Sequence, residues 1–279
     1  MYNYFQFILI LLTVVSSKLF SQDILENQYN YALKLYIREQ YYDAVTEFKR
    51  LSLFDTEKKY EYNANEYIGM SYKMGAKFSD AILFFTKAEM NARNNEELFN
   101  SIIEIVRINI LRRTISHAYD LLDSLKKDER FTIKSAEIDY WKGWADIFND
   151  NWFEAAKEFS KVDSTKFLAE FCYNVEKEKY SVSFADILSH IIPGAGQIYT
   201  GNYFSGILSL GWNTLWGYLT ISAFLDNRVF DGLVIGNLLW LRFYNGNLQN
   251  SVKYAEKENL DITNRALDFL QSGYSGKKP

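Results

Sequence analysis

The sequence predicts an all-α protein in which an α-solenoid of helical hairpins is followed by a C-terminal transmembrane helical hairpin. Three observations support this prediction: an internal repeat with a period of 37 residues, only 2 prolines and 14 glycines among 279 residues, and a long uncharged stretch towards the C-terminus. Polar and apolar residues that alternate over long segments without breakers favour helices. A fixed period of this length is typical of helical units that stack on their neighbours.

The repeat is carried by small and apolar residues at fixed positions. Alanines recur at a spacing of 37 residues. A large apolar residue lies four positions after each alanine, and a small residue or valine lies twelve positions before it. A small side chain lets two helices approach closely, and a large apolar side chain fills the seam between them. Each copy is therefore predicted to be a helical hairpin. The small position of the first helix is occupied by Ala32, Gly69, Val106 and Gly143, the alanine position by Ala44, Ala81, Ala118 and Ala155, and the large apolar position by Phe48, Phe85, Leu122 and Phe159.

This pattern resembles the tetratricopeptide repeat, in which Gly or Ala, Ala, Phe and Ala follow one another in this order. The second copy is the nearest to it, with Gly69, Ala81, Phe85 and Ala88 in register. The resemblance covers about 24–162, and the period exceeds the roughly 34 residues usual in that family. The extra residues are expected between hairpins, and a generic helical bundle is the alternative explanation.

The resemblance implies a concave groove lined by the first helix of each hairpin, which repeat proteins use to hold an extended peptide or a partner helix. At any single position the alternative is ordinary helix packing, above all for Tyr140 and Trp144. Carried across onto this sequence, the groove residues are Tyr29, Tyr36, Glu66, Met70, Lys73, Arg107, Tyr140 and Trp144.

The N-terminus is predicted to be a signal peptide at 1–21. An apolar stretch at 7–15 is too short to span a bilayer, and small residues follow it, so cleavage is expected near Ser21 or Gln22. The segment before the apolar stretch has no Lys or Arg, which leaves an uncleaved anchor as the alternative. No cysteine stands directly after the apolar stretch, so a bacterial lipoprotein is excluded.

The C-terminal part contains the uncharged stretch, at 187–225. Within it, 203–225 would form a helix of about 34 Å, enough to cross about 30 Å of hydrocarbon. A second span at about 229–252 is weaker because it contains Arg242. Gly232 and Gly236 are spaced for close packing of the two spans. A short amphipathic helix beginning at Phe184 is expected to lie on the membrane surface.

Between this amphipathic helix and the first span lies a glycine-rich run that is predicted to turn the chain into the membrane. It resembles a signature of small two-helix bacterial membrane domains, which occur fused to tetratricopeptide-like repeats. Related domains occur beside the membrane protein insertion efficiency factor. The resemblance implies membrane attachment but no particular activity, and it rests on Pro193, Gly194, Gly196, Gln197, Tyr199 and Gly201.

The predicted organisation therefore has five parts. They are a signal peptide at 1–21, four repeats at 22–165, a linking helix at 166–183, an interfacial helix with a two-helix membrane domain at 184–260, and a C-terminal tail at 261–279.

Composition excludes several functions. The 31 Lys and Arg against 35 Asp and Glu, a net charge of −4, argue against nucleic-acid binding. One cysteine, Cys172, and two histidines, His117 and His190, are too few for the common Cys- or His-based metal sites. No catalytic or nucleotide-binding motif is present. The sequence therefore predicts a protein that is not an enzyme and has no cofactor or metal.

The predicted function is a membrane-tethered adaptor or scaffold of the bacterial envelope whose repeats bind a protein or peptide. The C-terminal hairpin would hold it in the lipid bilayer of the inner membrane and would allow homo-oligomers. A cleaved signal peptide places the repeats in the periplasm, although Lys177, Lys179, Lys253 and Lys257 around the hairpin favour the cytoplasm.

The alternative is that the membrane domain is itself active, as a small transport or membrane-protein-insertion-assisting element. The repeats would then be regulatory, and Gln197, Asp231 and Arg242 would be the functional polar residues.

Overall fold

A computed structural model describes residues 24–279, so the predicted signal peptide lies outside the described residues. The described chain is helical throughout, with no strand in this range. It divides into two compact units, called here the first unit, up to Ala169 together with Lys278–Pro279, and the second unit, Glu170–Lys277.

The first unit consists of helical hairpins in sequence, which confirms the predicted all-α, helical-repeat architecture. Helices α3 and α4, α4 and α5, and α7 and α8 are among the pairs in closest contact. The helices are α1 at 24–37, α2 Tyr41–Phe54, α3 Glu61–Met74, α4 Phe78–Met90, α5 Asn95–Leu111, α6 Ile115–Lys127, α7 Ser135–Phe148 and α8 Trp152–Ser160, and α9 Lys166–Glu178 contains the boundary between the units.

The 37-residue period is visible in the turns inside the hairpins. One residue in each turn adopts the left-handed conformation, and these residues are 37 apart: Glu39, Ala76, Arg113 and Asp150, with φ of 62°, 54°, 58° and 61°. The next residue donates its backbone N–H to the carbonyl five positions earlier, a bond that terminates a helix. The four bonds are Gln40 to Leu35 at 3.0 Å, and Lys77 to Tyr72, Thr114 to Asn109 and Asn151 to Asp146 at 2.9 Å each.

The seam between the two helices of a hairpin has the predicted small-against-large packing. A Cβ atom added to Gly69 would lie 3.0 Å from Cε2 of Phe85, and one added to Gly143 would lie 2.8 Å from Cε1 of Phe159. Both rings are fully buried. The glycines therefore allow each first helix to rest directly on an aromatic ring of the second.

The extra residues of the repeat are placed differently from one copy to the next. A six-residue connection at 55–60 follows α2, as expected, but the connection after α4 has only four residues, 91–94. There the extra length lies in α5, which has 17 residues. Its start is fixed by Asn94, whose side chain accepts a hydrogen bond from the backbone N–H of Glu97 at 2.9 Å.

The second unit begins within α9 and is built around one long C-terminal helix. This helix packs against α10, α11 and α12, and its Phe269 stacks on Phe171 of α9. Its remaining elements are α10 Val182–Ile191, α11 Ala195–Tyr199, α12 Tyr203–Leu225, α13 Val229–Val234, a π-helical segment Ile235–Trp240, and α14 Leu241–Ser272.

The predicted transmembrane hairpin is wrong. In residues 24–279 no helix combines the length and the apolar character needed to cross a membrane. The predicted inner-membrane localisation, which rested on this hairpin, is wrong as well. The predicted lipid contact, the membrane-surface helix and the turn of the glycine-rich run into the bilayer depended on the same hairpin.

The reason for this error lies in the kind of residue that the uncharged stretch contains. Helix α12 has no charged residue but includes six Ser, Thr or Asn side chains along its length: Ser205, Ser209, Asn213, Thr214, Thr220 and Ser222. The second predicted span is divided among α13, the π-helical segment and the start of α14, where Arg242 is exposed. The absence of charge was therefore not the same as apolarity.

Candidate functional site

A group of charged side chains links two first helices of neighbouring hairpins. The Nζ of Lys73 on α3 lies 2.9 Å from a carboxylate oxygen of Glu104 on α5, and Arg107, one turn further along α5, also donates to Glu104. The three side chains are only 10%, 13% and 20% exposed. Burial lowers the pKa of Lys73, and the nearby Glu104 opposes that shift. Such poorly hydrated charges are costly unless they have partners.

Arg107 contacts more elements than its neighbours in this group. Its guanidinium carbon lies 4.9 Å from the ring centre of Trp141 on α7, a cation–π contact. Its Nη2 donates to the backbone carbonyl of Lys278 at 2.7 Å. Its buried Nε has no hydrogen-bond partner in the described part of the chain. The guanidinium is thus positioned to bind main-chain carbonyls on this face.

Glu66 adds a second carboxylate to the same face. Burial raises its pKa, and the negative charges of Glu104 and Glu97 raise it further. Among residues 24–279 the structure gives Glu66 no ion pair and no side-chain hydrogen bond. Burial also raises the pKa of Tyr36 on α1, and the negative charges of Glu104 and Glu66 raise that pKa further.

Tyrosines extend this face along α1. The rings of Tyr36 and Tyr67 meet edge to face with centroids 5.1 Å apart, and Tyr29 and Tyr67 meet in the same way at 6.4 Å. Burial is the main cause that raises the pKa of Tyr29 to about 12. Together these side chains form one surface, the first-helix face, which consists of Tyr29, Tyr36, Glu66, Lys73, Glu104 and Arg107.

Five of the eight predicted groove residues lie on the first-helix face, and three lie in packing positions. Met70 packs partly buried against the cluster that contains Phe85. Trp144 is 2% exposed and meets the ring of Phe159 edge to face, and Tyr140 packs against Trp141 and Phe159 in the same way. These three residues therefore make helix-packing contacts, which was the alternative to a place in the groove.

Glu104, Trp141 and Tyr67 were not predicted as site residues, although a signal for them existed. They are spaced by 37 and so occupy the same position of three successive repeats. Applying the period to every position of the first helices would have identified them. Glu104 also precedes Arg107 by three residues, a spacing at which opposite charges meet on a helix.

The glycine-rich run lies at a junction inside the second unit. Gly194 has a φ of +93°, its N–H donates to Oδ1 of Asn247 at 2.7 Å, and an added Cβ would lie 2.1 Å from the carbonyl oxygen of Gly206. Gln197 is fully buried, and its Nε2 donates to the backbone oxygen and to Oδ1 of Asn247, both at 3.1 Å. These contacts join α11 to α14.

The other residues of this run also make packing contacts or turns. An added Cβ on Gly196 would lie 2.2 Å from the carbonyl oxygen of Ala185, whereas Gly201, with a φ of +81°, faces open space. The hydroxyl of Tyr199 accepts a hydrogen bond from the N–H of Ser181 at 3.2 Å. Pro193 is half-buried at the end of α10.

Gly232 and Gly236 lie against α12, as their spacing suggested. An added Cβ on Gly232 would lie 2.9 Å from the ring of Phe224, and one on Gly236 would lie 3.1 Å from Cγ2 of Thr220. Asp231 is exposed, and its carboxylate lies 3.7 Å from Arg228. Within residues 24–279 no three His, Cys, Asp or Glu side chains are grouped so that they could hold a metal ion.

No family model, curated protein or solved structure matches the chain at a significant level.

Proposed function

We propose that this protein is a non-enzymatic adaptor whose repeats, of the tetratricopeptide type, hold an extended segment of a partner protein along the first-helix face. The observation that carries the proposal is the poorly hydrated group of Lys73, Glu104 and Arg107 on α3 and α5. The seams at Gly69 and Gly143 are filled by the rings of Phe85 and Phe159, so closing these hairpins does not require the charges on α3 and α5.

The chemistry of this face suits a main-chain ligand. An arginine presents several N–H donors in a fixed plane, and Arg107 directs one of them at a backbone carbonyl. The tyrosines along α1 offer flat amphipathic surface that loses little side-chain entropy on binding. A peptide lying across successive first helices would meet both kinds of group.

The test is a selection of random peptides on the full-length protein, followed by affinity measurements with the selected sequences. We expect Arg107→Ala to weaken binding at least about tenfold, or about 1.4 kcal/mol. The matched control is Arg112→Ala, which removes an exposed arginine five residues further along the chain, at the end of α5. If no peptide is selected, or if both variants bind equally well, the proposal is wrong.

A further inference from the structure

An open cleft lies in the first unit, between α2 and the turn that joins α3 to α4. Its volume is about 380 Å³, which is within the range of small-molecule sites. Residues of α2 form one wall, and the end of α3 with the turn after it forms the other. None of the lining residues belongs to the first-helix face, so the cleft is a separate feature of the first unit.

The walls of the cleft are largely aromatic. Tyr41, Tyr42 and Tyr72 line it, together with Val45, which is only 9% exposed. The ring of Tyr72 packs on Phe84 with centroids 5.5 Å apart, whereas Tyr42 is 84% exposed. Tyrosine rings offer a flat ligand apolar contact area and lose little side-chain entropy on binding.

The charge of the cleft is positive. Lys49 and Lys77 line it, whereas no Asp or Glu among residues 24–279 does. The Nζ of Lys49 donates to the hydroxyl of Tyr72 at 3.0 Å and lies 5.4 Å from the centre of that ring. An ammonium group has three donors and a tyrosine hydroxyl that accepts a bond can still donate its own proton, so both groups can also bind an anion.

The two lysines are not a product of the repeat. One period further on, at the junction of α4 with the turn between α5 and α6, Thr86 and Thr114 replace Lys49 and Lys77. A single arginine, Arg112, stands at another of the equivalent positions, and none of them is a tyrosine. Helix packing that recurs in each copy therefore does not account for the lysines and tyrosines of this cleft.

We infer that this cleft binds a small aromatic carboxylate. The flat ring of the ligand lies against the tyrosines and Val45, which removes their exposed apolar area from water. The carboxylate accepts hydrogen bonds from Lys49, Lys77 and the hydroxyl of Tyr72, and bonds of this charged kind are the stronger ones. The inference goes beyond the proposed function and does not depend on it.

The experiment is a calorimetric titration of the full-length protein with 2-naphthoate. Two matched ligands separate the contributions: 2-naphthamide has the same ring system without the charge, and acetate has the carboxylate without the rings. We expect 2-naphthoate to bind with a Kd below about 1 mM and each matched ligand to bind at least about tenfold more weakly.

The lysines are tested by Lys49→Met and Lys77→Met, each of which should weaken 2-naphthoate at least about tenfold and leave 2-naphthamide unaffected. The matched control is Lys87→Met. The Nζ of Lys87 lies 4.6 Å from the centre of the Phe84 ring, and that of Lys49 lies 5.3 Å from the same ring, but Lys87 does not line the cleft. This control should bind 2-naphthoate as the unaltered protein does.

Three results would overturn the inference: no binding of 2-naphthoate, binding of acetate at equal strength, or equal effects of Lys87→Met and Lys49→Met. Melting temperatures show whether each variant is folded. If Lys49→Met is not, Lys77→Met decides, because Lys77 is exposed and its side chain makes no packing contact in the core clusters. None of these results bears on the selected peptides, which test the first-helix face.

Discussion

The two units of this protein differ in the size of the apolar side chains that they bury. The largest fully buried side chains of the described chain all lie in the first unit, and Trp141, Trp152 and Phe159 are among them. In residues 170–277 no Phe or Trp is buried, and the interior contains eight neutral polar residues: Ser189, Gln197, Thr200, Asn213, Thr220, Asn247, Ser251 and Thr263. The large apolar residues of α12 and α13, such as Phe204 and Phe230, are exposed instead.

The difference shows two ways of bringing helices together. In the first unit an aromatic ring fills the seam opposite a small residue, and removal of apolar area from water stabilises the contact. In the second unit glycines bring backbones close together, and the buried amides and hydroxyls satisfy one another around Asn247. A polar interior of this kind stabilises only when its groups are paired.

The largest effect is expected in the apolar seam. Phe159→Ala should lower the free energy of unfolding by about 4 kcal/mol, because a fully buried ring is lost and a cavity remains opposite Gly143. Chemical denaturation followed by far-ultraviolet circular dichroism measures this. Phe153→Ala, which removes a ring that is 49% exposed on the same helix, is the control and should cost much less. Equal losses would mean that seam packing does not dominate the first unit.

A somewhat smaller effect is expected in the polar interior. The side chain of Asn247 accepts from the N–H of Gly194 and from Gln197 and Ser209, and it donates to the carbonyl of Ser189. Asn247→Leu should therefore destabilise by about 3 kcal/mol, because buried partners lose their hydrogen bonds. Asn245→Leu, on an exposed position of the same helix, should be nearly neutral. If Asn247→Leu were as stable as the unaltered protein, the second unit would not depend on a polar interior.

The smallest expected effect is on the pH dependence of stability. The two units should differ in it because, among residues 24–279, only the first unit buries carboxylates. Burial raises the pKa of Asp146 to about 6, against the hydrogen bond that it accepts from Tyr119. Between about pH 4 and pH 6 the folded state therefore holds a proton that the unfolded state has lost. The stabilisation from that proton is complete below about pH 4 and disappears as the pH rises through 6.

Asp146→Asn cannot ionise, so its stability relative to the unaltered protein should increase between pH 4 and pH 7, by about 1 kcal/mol. Melting temperatures of both proteins across this range measure the difference, and Asp120→Asn, at an exposed position, should show no such trend. A difference that stays constant or falls with pH would contradict a raised pKa for Asp146.

Much of the first unit could be predicted from the sequence because its period acts locally. Gly69 and Phe85 are 16 residues apart, and the same spacing recurs in each copy. Lys73 and Arg107 were predicted as groove residues from the resemblance to the tetratricopeptide repeat, whereas the contact of Arg107 with Lys278 joins residues 171 positions apart and leaves no periodic signal.

The second unit was predicted less well because its decisive contacts are between distant polar residues. The glycines of the run around Gly194 did indicate close backbone approach. The partner of Gln197, however, is 50 residues further along the chain, so an amide that bonds inside the protein could not be distinguished from one placed at a break in a membrane helix.

The left-handed turns at 39, 76, 113 and 150 have a consequence for how this array could be rebuilt. Because they recur every 37 residues while loops and helix lengths vary, the turn, and not the start of a helix, marks the repeating unit. Within the repeats, any stretch of 37 residues contains one turn and one set of seam positions. Copying such a stretch and inserting it directly after itself should lengthen the array by one module, since each repeat contacts only its neighbours.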